Sequence, residues 1–165
     1  MDPRFEATPS TNDIAASLAM WPELSGKRLR PLLVTAFGDI YVEADSGDVY
    51  AVKPLELSCE AVAASSVELE RLFADPKWAE EALITNLALL ASERSIVRKP
   101  GQVFAVAPHP SLAGKINING LMAMDLAVWH SISTQLRTPQ KPSSGKPEPK
   151  VGDGGFFKRL LGHGK

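Results

Sequence analysis

The chain has 165 residues, and 18 basic side chains nearly balance 19 acidic ones for a formal net charge of −1. That total hides two parts: residues 1–137 carry 12 basic and 17 acidic residues, and residues 138–165 carry 6 and 2. An apolar fraction of 44% supports one packed domain, no apolar run approaches the roughly 18–20 residues that cross a bilayer, and Asp2, Pro3 and Glu6 stand where a secretory signal needs positive charge, so a cytoplasmic protein is expected.

Residues 1–30 read as a weakly structured lead-in. Ser10 or Thr11 is placed to cap a short helix over 12–20, in which Ile14, Leu18 and Trp21 share a face and Pro22 ends the pattern. Residues 31–137 read as the domain. A strand over Leu32–Phe37 is interrupted at Gly38 by a bulge or bend. Ile40 and Val42 alternate with Tyr41 and Glu43. Asp45-Ser46-Gly47-Asp48 is a turn signal, and Val49–Val52 returns as the second arm of a β-hairpin. Leu55, Leu57 and Cys59 then alternate with Glu56, Ser58 and Glu60 as a third antiparallel strand. Its apolar side makes Cys59 a small buried group rather than a nucleophile.

Ser65 or Ser66 can cap a helix carrying Val67, Leu69, Leu72 and Phe73. Pro76 starts a second helix that runs to about Arg94, with Trp78, Leu83, Leu87 and Leu90 on one face. Lys99-Pro100-Gly101 turns the chain into a strand through Val103, Ala105 and Ala107, and Pro108-His109-Pro110 reads as a loop. Residues 121–126 read as a strand buried on both faces. A last helix over 127–136 places Val128, Ile132 and Leu136 together. The fold class is therefore α+β: a mostly antiparallel sheet with helices packed on it. After Arg137, four prolines mixed with Lys, Ser and Gly predict a flexible basic tail over 138–165. It ends in Phe156, Phe157, Lys158, Arg159, Leu160 and Leu161, an apolar and basic tip that could dock a partner.

Motifs for catalysis are lacking. No glycine-rich phosphate loop follows a strand, and one cysteine with three scattered histidines (His109, His130, His163) does not make a zinc site. No cofactor and no metal are expected. A Cys59–His pair is the remaining route to an unrecognised hydrolase, and a non-catalytic adaptor using the tail is a further alternative. The acidic residues are more informative. Between Thr35 and Glu93 there are twelve, opposed by Lys53, Arg71 and Lys77 alone, a net of −9. Such a field disfavours direct contact with nucleic acid and favours a cationic partner.

The run Thr35–Val42, followed by Gly47-Asp48-Val49-Tyr50, resembles the opening hairpin of a bacterial immunity domain. The match continues through Gly101–Val106, Pro108, Leu112 and Gly114 to the closing stretch Asn119–Ser131. The family is the C-terminal domain of immunity proteins that neutralise DNase effectors of type VI secretion systems, and the resemblance spans about Pro31 to Leu136. Proteins of that family often carry a further N-terminal domain, and the basic tail lies outside the pattern. The resemblance implies a non-catalytic inhibitor whose partner is a cognate toxin, a nuclease effector. Nuclease toxins present basic surfaces, so an acidic face suits the role. The expected contacts are Asp39, Glu43, Asp45, Asp48, Glu60, Glu68 and Glu70, with Tyr41 and Tyr50 as aromatic anchors.

Overall fold

The computed structural model describes residues 2–137; the expected flexibility and docking role of the tail lie outside them. Four strands form an antiparallel meander in chain order: β1 (Leu29–Val34), β2 (Ile40–Ala44), β3 (Val49–Lys53) and β4 (Ser58–Ala63). Helices α2 (Ser66–Ala74), α3 (Pro76–Ala82) and α4 (Thr85–Glu93) follow. A second antiparallel pair, β5 (Gln102–Val106) and β6 (Leu121–Asp125), brackets the short helix α5 (Pro110–Ala113), and α6 (Leu126–Leu136) closes the described chain. The α+β expectation therefore holds. No helix among the described residues is long and apolar enough to cross a membrane.

Both faces of the four-stranded sheet are covered. On one, Ile40, Val42 and Val52 join Leu18, Trp21, Leu87, Ala88, Val103–Val106 and Trp129 in the main core. On the other, Tyr41, Val49, Ala51 and Ala63 pack under Leu69, with Phe73 and Trp78 closing the layer. Burial at about 25 cal/mol per Å² of apolar surface makes these two layers the dominant stabilising term.

The first 30 residues are more ordered than their sequence suggests. Helix α1 (Thr11–Leu18) has a full capping box: Ser10 Oγ accepts from the Asp13 amide at 3.1 Å, and Asp13 reaches back to Ser10. Phe5 and Ala7 exchange backbone hydrogen bonds with Val34 and Ala36, which extends the sheet beyond β1. Trp21 is 1% exposed.

Several boundaries move for local reasons. The first strand runs 29–34 rather than 32–37, because Thr35–Asp39 is a closed turn: Thr35 N donates to Asp39 O and Gly38 N to Thr35 O, both at 2.9 Å. The bulge falls between Pro31 and Leu33, and Gly38 is the bend. Its φ of +83° favours glycine, and a Cβ there would stand 3.1 Å from Trp129 Cδ1 and 3.2 Å from Val103 Cγ2. The fourth strand starts at Ser58, since Pro54–Leu57 is a turn with Leu57 at φ 57°. The single helix expected over 76–94 is two, broken where Ile84 takes a left-handed φ of 52°. Pro110 opens a helix turn instead of remaining in a loop.

Strand β6 is not buried on both faces: Leu121 is buried, but Met122 is 41% exposed. Helix α6 is rotated from the expected face: Leu126, Trp129, His130 and Ser133 turn inward, and Val128 is 48% exposed. The polar members of that inner face are bonded, so they can be buried. His130 Nδ1 accepts from Trp21 Nε1 at 2.9 Å, and its Nε2 donates to Gly38 O at 2.8 Å.

Candidate functional site

The expected contact residues divide into three settings. The hairpin end holds Glu43, Asp45 and Asp48 next to the start of α2. Asp45 is exposed, and Asp48 accepts from Ser46 Oγ at 2.8 Å. Glu43 forms an ion pair with Arg30 across the register pair Arg30–Glu43, and the Arg30 guanidinium holds its carboxyl below the ordinary value. Glu68 is drawn to the same end. Its Oε2 accepts from the Ala64 amide at 2.6 Å while Ser65 Oγ caps the Glu68 amide, so the α2 N-terminus is satisfied from both sides. Glu70 is exposed two residues further along α2, on a different face of the helix. An open groove at this end is lined by Arg28, Arg30, Glu43 and Asp45, so two arginines adjoin the carboxylates. The sequence count missed them because they precede Thr35.

Tyr50 lies on the main-core face, half-buried, with Lys27 Nζ 5.3 Å from its ring centroid. It is a packing residue with a cationic neighbour, not a projecting anchor.

The third setting corrects the expectation for Asp39 and Tyr41. Neither is a surface contact: Asp39 is 2% exposed and Tyr41 0%. Alternation places Asp39 and Tyr41 on the second face of the sheet, which α2 and α3 cover. Tyr41 packs edge-on against Phe73, with centroids 5.4 Å apart, and Phe73 packs against Trp78 at 4.7 Å. Asp39 Oδ1, Tyr41 Oη and Ser58 Oγ are buried without a hydrogen-bond partner among the described residues. Burial pushes the Asp39 carboxyl up to about 8; Lys53 opposes that shift and Glu56 adds to it. Burial also raises the Tyr41 hydroxyl well above its ordinary value. Lys53 Nζ stands 3.6 Å from Glu56 Oε1, each side chain 19% exposed. Burial works against the Lys53 charge, but Glu56, Asp39 and Glu60 outweigh it and hold its pKa high. Glu60 lies on the same strand face and is exposed. At neutral pH Asp39 is protonated, which takes one unit from the −9 of this segment.

The other titratable side chains are committed to packing. Cys59 is half-buried against the main core, and burial pushes its thiol up to about 12, so it is not a thiolate nucleophile. His109 Nδ1 accepts from the Ser111 amide at 3.1 Å and Nε2 donates to Pro54 O at 3.1 Å. With His130 held by Trp21 and Gly38, no hydrogen bond joins Cys59 to a histidine among the described residues. No group of three His, Cys, Asp or Glu there could hold a metal ion.

No protein-family model and no curated protein matches the chain. The crystal structure of Atu4351 from Agrobacterium tumefaciens is similar at a TM-score of 0.47 and 15% identity, over 75% of this chain. The chain spans 64% of that protein's length. A likeness of that size carries no argument about function.

Proposed function

We propose that this chain is a cytoplasmic immunity protein that binds a cognate antibacterial toxin, a type VI secreted nuclease, and covers its basic surface with an acidic one. The observation that carries the reading is the grouping of Asp45, Asp48 and Glu68 where the hairpin end meets α2, with Glu70 exposed further along that helix. Carboxylates held at the end of a sheet and the N-terminus of a helix present fixed negative charge to a basic partner. Complementary fields of this kind accelerate encounter and exclude wrong partners. The engaged histidines and protonated Cys59 agree with an inhibitor that acts by occupation. Arg28 and Arg30 beside the carboxylates give the surface a charge pattern rather than a uniform field, and pattern sets orientation on the partner.

The test is the double substitution Asp45→Lys and Asp48→Lys, assayed against a nuclease effector that the unaltered chain binds and neutralises. Association is expected to slow by roughly tenfold or more at low salt, and protection of cells expressing the nuclease to fail. Unchanged association and full protection would remove this surface from the toxin interface.

A further inference from the structure

We propose that the outer face of α2 is the docking site of this chain's own C-terminal tip, Phe156–Leu161, which occupies that face until a partner displaces it. The docking rests on the helix face and the tether; the competition with a toxin rests on the role proposed above.

The face is built from residues one turn apart. Val67, Glu70, Arg71 and Ala74 recur at helical spacing and all four are exposed, while Leu69 and Phe73 turn to the sheet. Val67 is 55% exposed on the first turn, with Glu68 and Glu70 within one turn of it. The face is thus apolar at its start and mainly acidic around that apolar side chain. In the tip, Phe156 and Leu160, and Phe157 and Leu161, stand four residues apart, with Lys158 and Arg159 between them. Its apolar side chains suit Val67 and Ala74, and its two cations suit Glu68 and Glu70. The wider balance has the same sign: residues 138–165 carry 6 basic and 2 acidic side chains, and the segment from Thr35 to Glu93 has a formal net of −9.

The tether has the right length. Arg137 is fixed at the end of α6: its Nη1 donates to Glu23 Oε2 at 3.0 Å, and its guanidinium lies 4.6 Å from the Trp21 ring centroid. Glu23 and Arg137 both act electrostatically on the Cys59 thiol, so the chain leaves the domain beside β4. Cys59 and Val67 are eight residues apart in the chain, hence at most about 28 Å apart in space. A tether of the Gly-, Ser- and Pro-containing composition and length of residues 138–155 has an r.m.s. end-to-end distance of about 21–25 Å. Effective concentration is highest, in the millimolar range, when the r.m.s. length of a tether matches the span. A tip that binds the face with a Kd of about 0.1 mM therefore occupies it about nine-tenths of the time.

The experiment is NMR on the full chain, labelled with nitrogen-15, at low salt. Two double variants disrupt the tip: Phe156→Ser with Phe157→Ser, and Lys158→Glu with Arg159→Glu. Each should shift the amide resonances of Val67, Glu70 and Arg71 and leave those of the main core in place. The tip amides of the unaltered chain should relax with the domain, and both variants should bring their order parameters below about 0.6. Tenfold dilution should leave the α2 shifts unchanged, because a tethered contact does not depend on protein concentration. Resonances of α2 that are unchanged in both variants, or tip amides already mobile in the unaltered chain, overturn the docking. Shifts that fade on dilution overturn the tether and assign the face to the tip of a second copy. Against a nuclease effector that the unaltered chain binds, Phe156→Ser with Phe157→Ser should tighten binding by roughly tenfold, the factor by which nine-tenths occupancy lowers apparent affinity. Unchanged affinity with the tip docked overturns the competition. Failure of any nuclease effector to bind, with the NMR response intact, overturns the toxin role and leaves the docking standing.

Discussion

Acidification should remove a stabilising contribution that His130 makes to this protein. The imidazole is 0% exposed between Trp21, Gly38 and Trp129's helix, and burial pushes it from the ordinary 6.5 down to about 4, with the bond to Gly38 O acting in the opposite sense. In the unfolded chain the ring takes up a proton near 6.5; in the folded chain it does so only near 4. Stability from this group is therefore complete above about 6.5, falls as pH drops through that window, and levels off below about 4. At about 1.4 kcal/mol per pH unit the loss amounts to about 3 kcal/mol. Asp39 acts in the opposite sense over the same window, so the His130 loss is read in the Asp39→Asn variant, whose midpoint, at a urea m-value of roughly 1–3 kcal/mol/M, should fall by about 1–3 M between pH 7 and pH 4. Urea melts followed by tryptophan fluorescence measure the fall, and the His130 ring C–H resonances report its protonation directly. A ring that titrates at pH 6 or above in the folded protein would refute the reasoning.

Asp39→Asn is expected to raise stability at pH 7 by up to about 4 kcal/mol, at about 1.4 kcal/mol for each pH unit between 3.8 and 7. The folded carboxyl keeps its proton up to about 8 while the unfolded one loses it near 3.8, so Asp39 costs stability as pH rises through that interval. Melts at pH 4 and pH 7 should show the gain only at the higher pH. Gly120→Ala should lower stability by about 2 kcal/mol or more, because a Cβ there would stand 1.9 Å from the Ala107 carbonyl oxygen, and backbone must shift; thermal melting checks it. Cys59 should react with a thiol reagent far more slowly than a free peptide cysteine at pH 8, at a rate that denaturant restores.

The hairpin and its turn were legible because alternation and Asp45-Ser46-Gly47-Asp48 act locally. The capping of α2 by Ser65 was legible for the same reason. Burial of Asp39 and Tyr41 was not, since alternation in β2 identifies one covered face and says nothing of a second. Tyr41, Val49, Ala51 and Ala63 share the second covered face, and that set of apolar or small residues was the available signal of a sheet covered twice. The break at Ile84 left no mark in the sequence, because an isoleucine in a left-handed conformation is imposed by packing. The rotation of α6 escaped for a related reason. His130 and Ser133 look like an outer face until Gly38 O and Trp129 O, which accept from them, are in place.

The Thr35–Asp39 turn is bonded from four directions: Phe5 O accepts from Ala36 N, Ala36 O accepts from Phe104 N, Phe37 O from Trp129 Nε1, and Gly38 O from His130 Nε2. Most of those partners lie far along the chain, 92 residues away for Trp129 and His130. As the protein leaves the ribosome, the β2–β3–β4 meander can pair from neighbouring residues alone. The Thr35–Asp39 turn lacks two of its four supports, those from Trp129 and His130, until α6 has emerged. Chains truncated before residue 129 should therefore keep hairpin structure yet lack a formed Thr35–Asp39 turn, which closes late in synthesis, when the last helix docks.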